Sequence, residues 1–175
     1  MHAAWRQWRS GRAMSIPVTL WFAGMVGILV LLDSLSRDGM WHERIWLLPP
    51  FAATLSILVL LPQSSIAQPI PVILGSTLGA GLGSVAACLV HGPLYAGCMA
   101  AVVLVLLDWL RLYHPPGVAL SMYPLLLRPG PLFSVEVVLP FMLAAVVSAA
   151  VLSRTINSWP EYPRPLELEG RKTGT

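Results

Sequence analysis

Apolar residues in this chain do not alternate with polar ones at a helical or strand period; they run on without interruption. Residues 45–107 form a stretch of 63 positions without a Lys, Arg, Asp or Glu, and further charge-free runs cover 13–32, 112–127 and 137–153. A water-facing surface cannot be assembled from such stretches, and their lengths match a bilayer whose hydrocarbon core is ~30 Å thick. The pattern predicts an all-α transmembrane protein, because in lipid every backbone polar group has to be satisfied within the protein.

Proline and glycine divide the runs into elements. The first helix is expected over residues 14–32, followed by a polar connector with Asp33, Arg37, Asp38, Glu43 and Arg44. A short helix follows over 50–61, opened by Pro49-Pro50 because proline is tolerated in a first turn but not in a helix interior. The linker 62–69 leads to a third helix over 72–90. After His91-Gly92-Pro93 a fourth covers 94–110. A second short piece, opened by Pro115-Pro116, ends at Leu127, and beyond Arg128-Pro129-Gly130-Pro131 a last helix covers 133–152. The domain plan is a cytoplasmic N-terminal segment at 1–13, a transmembrane domain at 14–155 and a mobile cytoplasmic tail at 156–175. Residues 14–32 are too long for the apolar part of a signal peptide and lack a clear cleavage site, so they are read as an uncleaved helix.

The order of elements repeats itself. Each half holds a long helix, a short helix opened by a proline pair, and another long helix. Paired short, Pro-interrupted segments at corresponding positions point to the binding site of a transporter. Six spans make each half a three-helix unit and turn the halves into an inverted repeat; four spans plus two re-entrant segments is the alternative. Six spans leave eight basic residues inside against three outside, and four leave seven against four. The positive-inside rule favours six. Both arrangements put the two termini in the cytoplasm. Gly75, Gly79 and Gly83 recur every fourth residue, which places them on one helix face. Such a face is an expected packing seam between membrane helices and a reason to consider a homo-oligomer.

Charge adds little to this plan. Only 11% of the residues are charged. Soluble domains carry about 25%. The net charge of +3 comes from basic residues concentrated near the ends, which reads as topology rather than nucleic-acid binding. Cys88 and Cys98 have neither metal-ligand nor disulfide spacing. No nucleotide loop, hydrolase elbow or zinc-protease motif occurs, so catalysis is not expected and neither cofactor nor metal is implied.

Candidate chemistry lies at the short helices. A helix start presents unpaired N–H groups and about half a positive charge, which suits an anion. Here those donors would be Phe51, Ala52 and Ala53 in one short helix and Gly117, Val118 and Ala119 in the other. His114 stands at the second helix start, where it would contact an anion or handle a proton. Asp108, Arg111 and His114 follow at helical spacing, with Arg111 supplying positive potential; Thr54, Ser56 and Ser121 offer hydroxyls. The competing structural reading is that the proline pairs only bend packed helices and that Asp108 and Arg111 form an interfacial ion pair.

At His114-Pro115-Pro116 the chain resembles the HPP family of small bacterial and plastid integral membrane proteins. Pro50-Phe51-Ala52-Ala53-Thr54-Leu55 and Ser64-Ser65-Ile66-Ala67-Gln68-Pro69 match two further blocks of that family, in order, and the likeness covers residues 45–155. Family members carry a hydroxyl where this chain has Leu120, and Ser121 stands one place displaced. Plastid members are associated with nitrite transport. The resemblance therefore implies a transporter or channel for a small inorganic anion such as nitrite, in a bacterial inner membrane, with no nucleic-acid partner. A membrane structural or assembly protein without transport activity is the alternative.

Overall fold

In a computed structural model the described residues are 15–35 and 48–163, and among them every regular element is helical. The helices are α1 (Ile16–Leu35), α2 (Leu48–Leu60), α3 (Ser76–Ala86), α4 (Pro93–Trp109), α5 (Pro115–Leu127) and α6 (Leu139–Thr155). Five-residue π turns, Pro71–Gly75 and Ser134–Val138, lead into α3 and α6. The segment expected at 1–13 lies outside the described residues, as do 36–47 and 164–175.

Proline sets most of the helix starts. Pro93 and Pro115 occupy the first turns of α4 and α5, where a missing N–H costs nothing. The sequence-based start of α2 at Pro50 needs correction: the helix begins at Leu48. Both prolines sit within its first turn, whose amides have no intrahelical acceptor anyway. α2 and α5 come out equally short, at 13 residues each. That length is ~20 Å at about 1.5 Å per residue. By length and apolarity, Ser134–Thr155 alone among the described residues suffices to cross a bilayer.

The core lies between α2, α3, α5 and α6. Phe51, Leu55 and Leu58 of α2 meet Leu120 of α5 and Met142 and Ala145 of α6, with Val72 and Phe133 closing the cluster. Phe51 and Phe141 pack edge to face with centroids 4.6 Å apart, a favoured arrangement of aromatic rings. On α4 only Ala96, Val103 and Leu107 are buried, one stripe, while Leu94, Val102, Val105 and Trp109 point outward. An apolar patch of this extent is unstable in water; in lipid it is the solvated surface.

The glycine face that runs from the π turn into α3 is used inside the chain. A side chain on Gly75 would strike the Leu112 carbonyl, one on Gly79 the Gly117 carbonyl, and one on Gly83 the Ser121 carbonyl. α3 and α5 therefore lie backbone to backbone and run in the same direction. The seam is formed as expected, but this face is not available to a second copy and gives no reason for a homo-oligomer.

The tail expected to be mobile from residue 156 packs back as far as the described residues reach. Trp159 is buried and meets Trp21 of α1 edge on, centroids 5.3 Å apart. Tyr162 is buried, and its N–H donates to Ser153 Oγ at 2.8 Å. Aromatic burial outweighs the local signal of proline and polar residues that suggested disorder.

Candidate functional site at the His114 junction

His114 is fully buried as the residue preceding α5. Its Nδ1 lies 2.8 Å from the Ile66 carbonyl oxygen and its Nε2 lies 3.0 Å from Thr54 Oγ1. Thr54 is also fully buried, and its hydroxyl stands 3.0 Å from the Pro50 carbonyl one turn back. The ring thus joins α2, the linker after it and the start of α5. Local sequence explains why Ile66 is in reach. The linker closes into a 3-10 turn, Ser65–Ala67, and Gln68 holds it by donating from Nε2 to the carbonyls of Pro62 and Ser64, each at 2.9 Å.

The expected backbone anion site is not formed. The Gly117 amide donates to the His114 carbonyl at 2.9 Å. α2 starts at Leu48 and α5 at Pro115. The amides of Phe51, Ala52, Ala53, Val118 and Ala119 therefore fall past the first turn, where a helix bonds them to its own carbonyls. The proline pairs fill the orphan-donor positions with residues that have no N–H. Phe51 belongs to the apolar core, Ala53 is on the outer surface, and Gly117 is covered by Gly75. Ser56 Oγ donates to the Ala52 carbonyl at 2.9 Å and Ser121 Oγ to the Val118 carbonyl at 2.7 Å, so both hydroxyls serve their own helices. Leu120, at the place of the family's hydroxyl, is buried in the core. Of the eleven predicted site residues, Thr54 and His114 meet side chain to side chain.

Beside this junction lies an open cavity of about 580 Å³, lined by Ser65, Ile66, Pro71, Asp108, Trp109, Arg111 and Tyr113. Ile66 therefore separates the His114 ring from the cavity. Arg111 reaches the lining through an unusual backbone, with φ at 57°. This is the left-handed region that favours glycine. Arg111 closes α4, with Leu112 N–H on the Leu107 carbonyl at 2.8 Å and Arg111 N–H on the Asp108 carbonyl at 3.0 Å. The pair of bonds is that of a Schellman turn. Among the described residues neither Asp108 nor Arg111 has a salt-bridge partner, so the expected ion pair is not made. A second cavity of about 190 Å³ lies at the far end of α5, between Ser84, Cys88, His91 and Arg128, the last also left-handed with φ at 50°.

The profile of the HPP transmembrane region matches residues 11–163, which takes in the three sequence blocks that converge on His114. The chain belongs to the HPP transmembrane family. It is an integral membrane protein on that ground. A transmembrane protein of Dictyostelium discoideum is 30% identical over 128 residues, covering 67% of this chain. The HPP chain spans 41% of that relative's length. No solved structure matches it.

The structure brings His114 of the HPP tripeptide and Thr54 together and adds the Ile66 carbonyl, which was not among the residues expected from the sequence. Ile66 contributes a backbone oxygen, and Gln68 acts on its loop; neither carries a side-chain signal of binding. The Ser64–Pro69 block was the available clue, since it pairs a glutamine with a proline-ended turn.

Proposed function

We propose that this HPP protein is a membrane transporter for a small inorganic anion, nitrite or a similar oxyanion, which enters the Arg111 cavity and passes the His114 junction. The observation that carries the reading is the Arg111 guanidinium, without a salt-bridge partner among the described residues, on an open cavity beside a buried histidine that ties three separate segments together. Ionisable groups placed at the ends of membrane helices and facing a cavity mark substrate pathways. Ser65 and Tyr113 line the same cavity, and their hydroxyls can donate to an anion. Arg111 replaces the helix amides as the source of positive potential.

Six crossings support this path better than four. α5 runs alongside α3 from Gly75 to Gly83, and at its far end the Gly92 N–H donates to the Leu125 carbonyl at 3.0 Å. A re-entrant α5 would have to turn back before reaching the level of Gly92. With six crossings the two cavities open on opposite sides, the Arg111 cavity towards the cytoplasm with both termini, and the Arg128 cavity away from it. The matching 13-residue helices and the π turns before α3 and α6 agree with an inverted repeat. The membrane would be a bacterial inner membrane.

Purified protein in liposomes tests the reading. Nitrite uptake should exceed that of protein-free vesicles across about pH 5 to 8, the range in which histidine changes charge. Equal rates throughout that range would leave a structural or assembly role.

A further inference from the structure

We propose that His114 is the proton-binding group of an anion–proton symport, an inference that rests on the transport reading above and adds its coupling ion. The argument is a count of hydrogens. Nδ1 lies 2.8 Å from the Ile66 carbonyl oxygen. A carbonyl oxygen only accepts, so this contact requires a hydrogen on Nδ1. Thr54 Oγ1 has two contacts at 3.0 Å, one with the Pro50 carbonyl and one with Nε2. It has a single hydroxyl hydrogen to serve them. With a neutral ring that hydrogen goes to Nε2 or to Pro50, and the other contact stays empty. A proton on Nε2 completes the set: Nε2–H donates to Thr54, Thr54 donates to Pro50, and Nδ1–H donates to Ile66.

The same proton changes the charge of the site. On the cavity lining Asp108 and Arg111 bring one charge of each sign, not paired with each other, and Tyr113 lies beside them. The described part of α2, the linker and the π turn before α3 contain no titratable side chain, and α5 adds only Tyr123. A buried imidazolium without a counter-charge is costly, and an anion in the adjoining cavity provides one. Proton and anion then favour each other's binding by the same factor, as linkage requires. The proton is taken up from water and held on Nε2 while the Thr54 hydroxyl donates to Pro50, and it returns to water on the other side with the anion. Nothing is oxidised or reduced.

The experiment uses the full chain in liposomes loaded with a pH-sensitive dye, with nitrite as probe and the nitrous acid leak of protein-free vesicles subtracted. An inward proton gradient is expected to drive nitrite above its equilibrium level, to acidify the lumen by about one proton per anion, and to do so without current when the voltage is clamped. His114→Gln is expected to lose the drive by the gradient. Uptake by the unaltered protein that carries current and ignores the gradient overturns the coupling while leaving transport standing. Gradient-driven uptake retained in His114→Gln overturns the assignment to His114. No uptake under any gradient overturns this proposal and the transport reading together. Should His114→Gln fail to insert, Thr54→Val, which removes the hydroxyl that receives the Nε2 proton, takes its place and is expected to weaken the drive by the gradient; drive unchanged in Thr54→Val overturns the assignment to His114.

Discussion

Ser121 fills with its backbone the space that any side chain on Gly83 would need. Neither partner has room to give way, because both contacts are main chain. Gly83→Ala should therefore cost about 1–3 kcal/mol, the usual penalty for overpacking. A Cβ on Gly97 meets nothing within 4 Å. Gly97→Ala should accordingly stay within about 0.5 kcal/mol of the original. Thermal unfolding in detergent compares the two, and equal midpoints would refute the backbone seam.

Arg111 spends conformational energy to stand where it does. A left-handed backbone costs a residue other than glycine roughly 1–2 kcal/mol, so Arg111→Gly should raise the unfolding midpoint. The same change removes the cavity's guanidinium. Losing a charged hydrogen bond of about 1.5–3 kcal/mol should weaken nitrite uptake by roughly tenfold or more at low concentration. A variant that is stabler and equally active would exclude Arg111 from the path.

Thr54→Val keeps the shape of the side chain but strips His114 Nε2 of its partner. An unsatisfied buried polar atom costs about 1–3 kcal/mol. Thr54→Ser restores the hydroxyl and should recover most of that loss. The ordering of midpoints, original above Ser above Val, is the expected result.

Trp159 holds the chain beyond α6 against α1. Trp159→Ala should destabilise by about 3–5 kcal/mol, as for other buried aromatic truncations, and should speed proteolysis after Thr155. A cleavage rate unchanged by the substitution would show that this contact does not restrain the segment.

Span number is open to chemical labelling. Cys88 is exposed at the Arg128 cavity. With six crossings it faces away from the cytoplasm, so a membrane-impermeant maleimide added outside cells should modify it. Ser65→Cys, in a Cys88→Ala Cys98→Ala background, should react only from the cytoplasmic side. Labelling of Cys88 from the inside alone would instead favour four crossings.

What the sequence determined by itself is everything that depends on local chemistry. Long charge-free runs require a bilayer, and prolines 49, 50, 93, 115 and 116 place helix starts within a few residues, because a missing N–H acts on its own turn. The three sequence blocks could be read as belonging together, though not as touching. Their meeting was decided in three dimensions: Thr54 and Ile66 stand 60 and 48 residues from His114 along the chain. The same holds for the corrections. Whether an amide is free, whether a glycine face is spare and whether Trp159 is buried all depend on which other segment arrives there, and hydropathy carries no record of that partner.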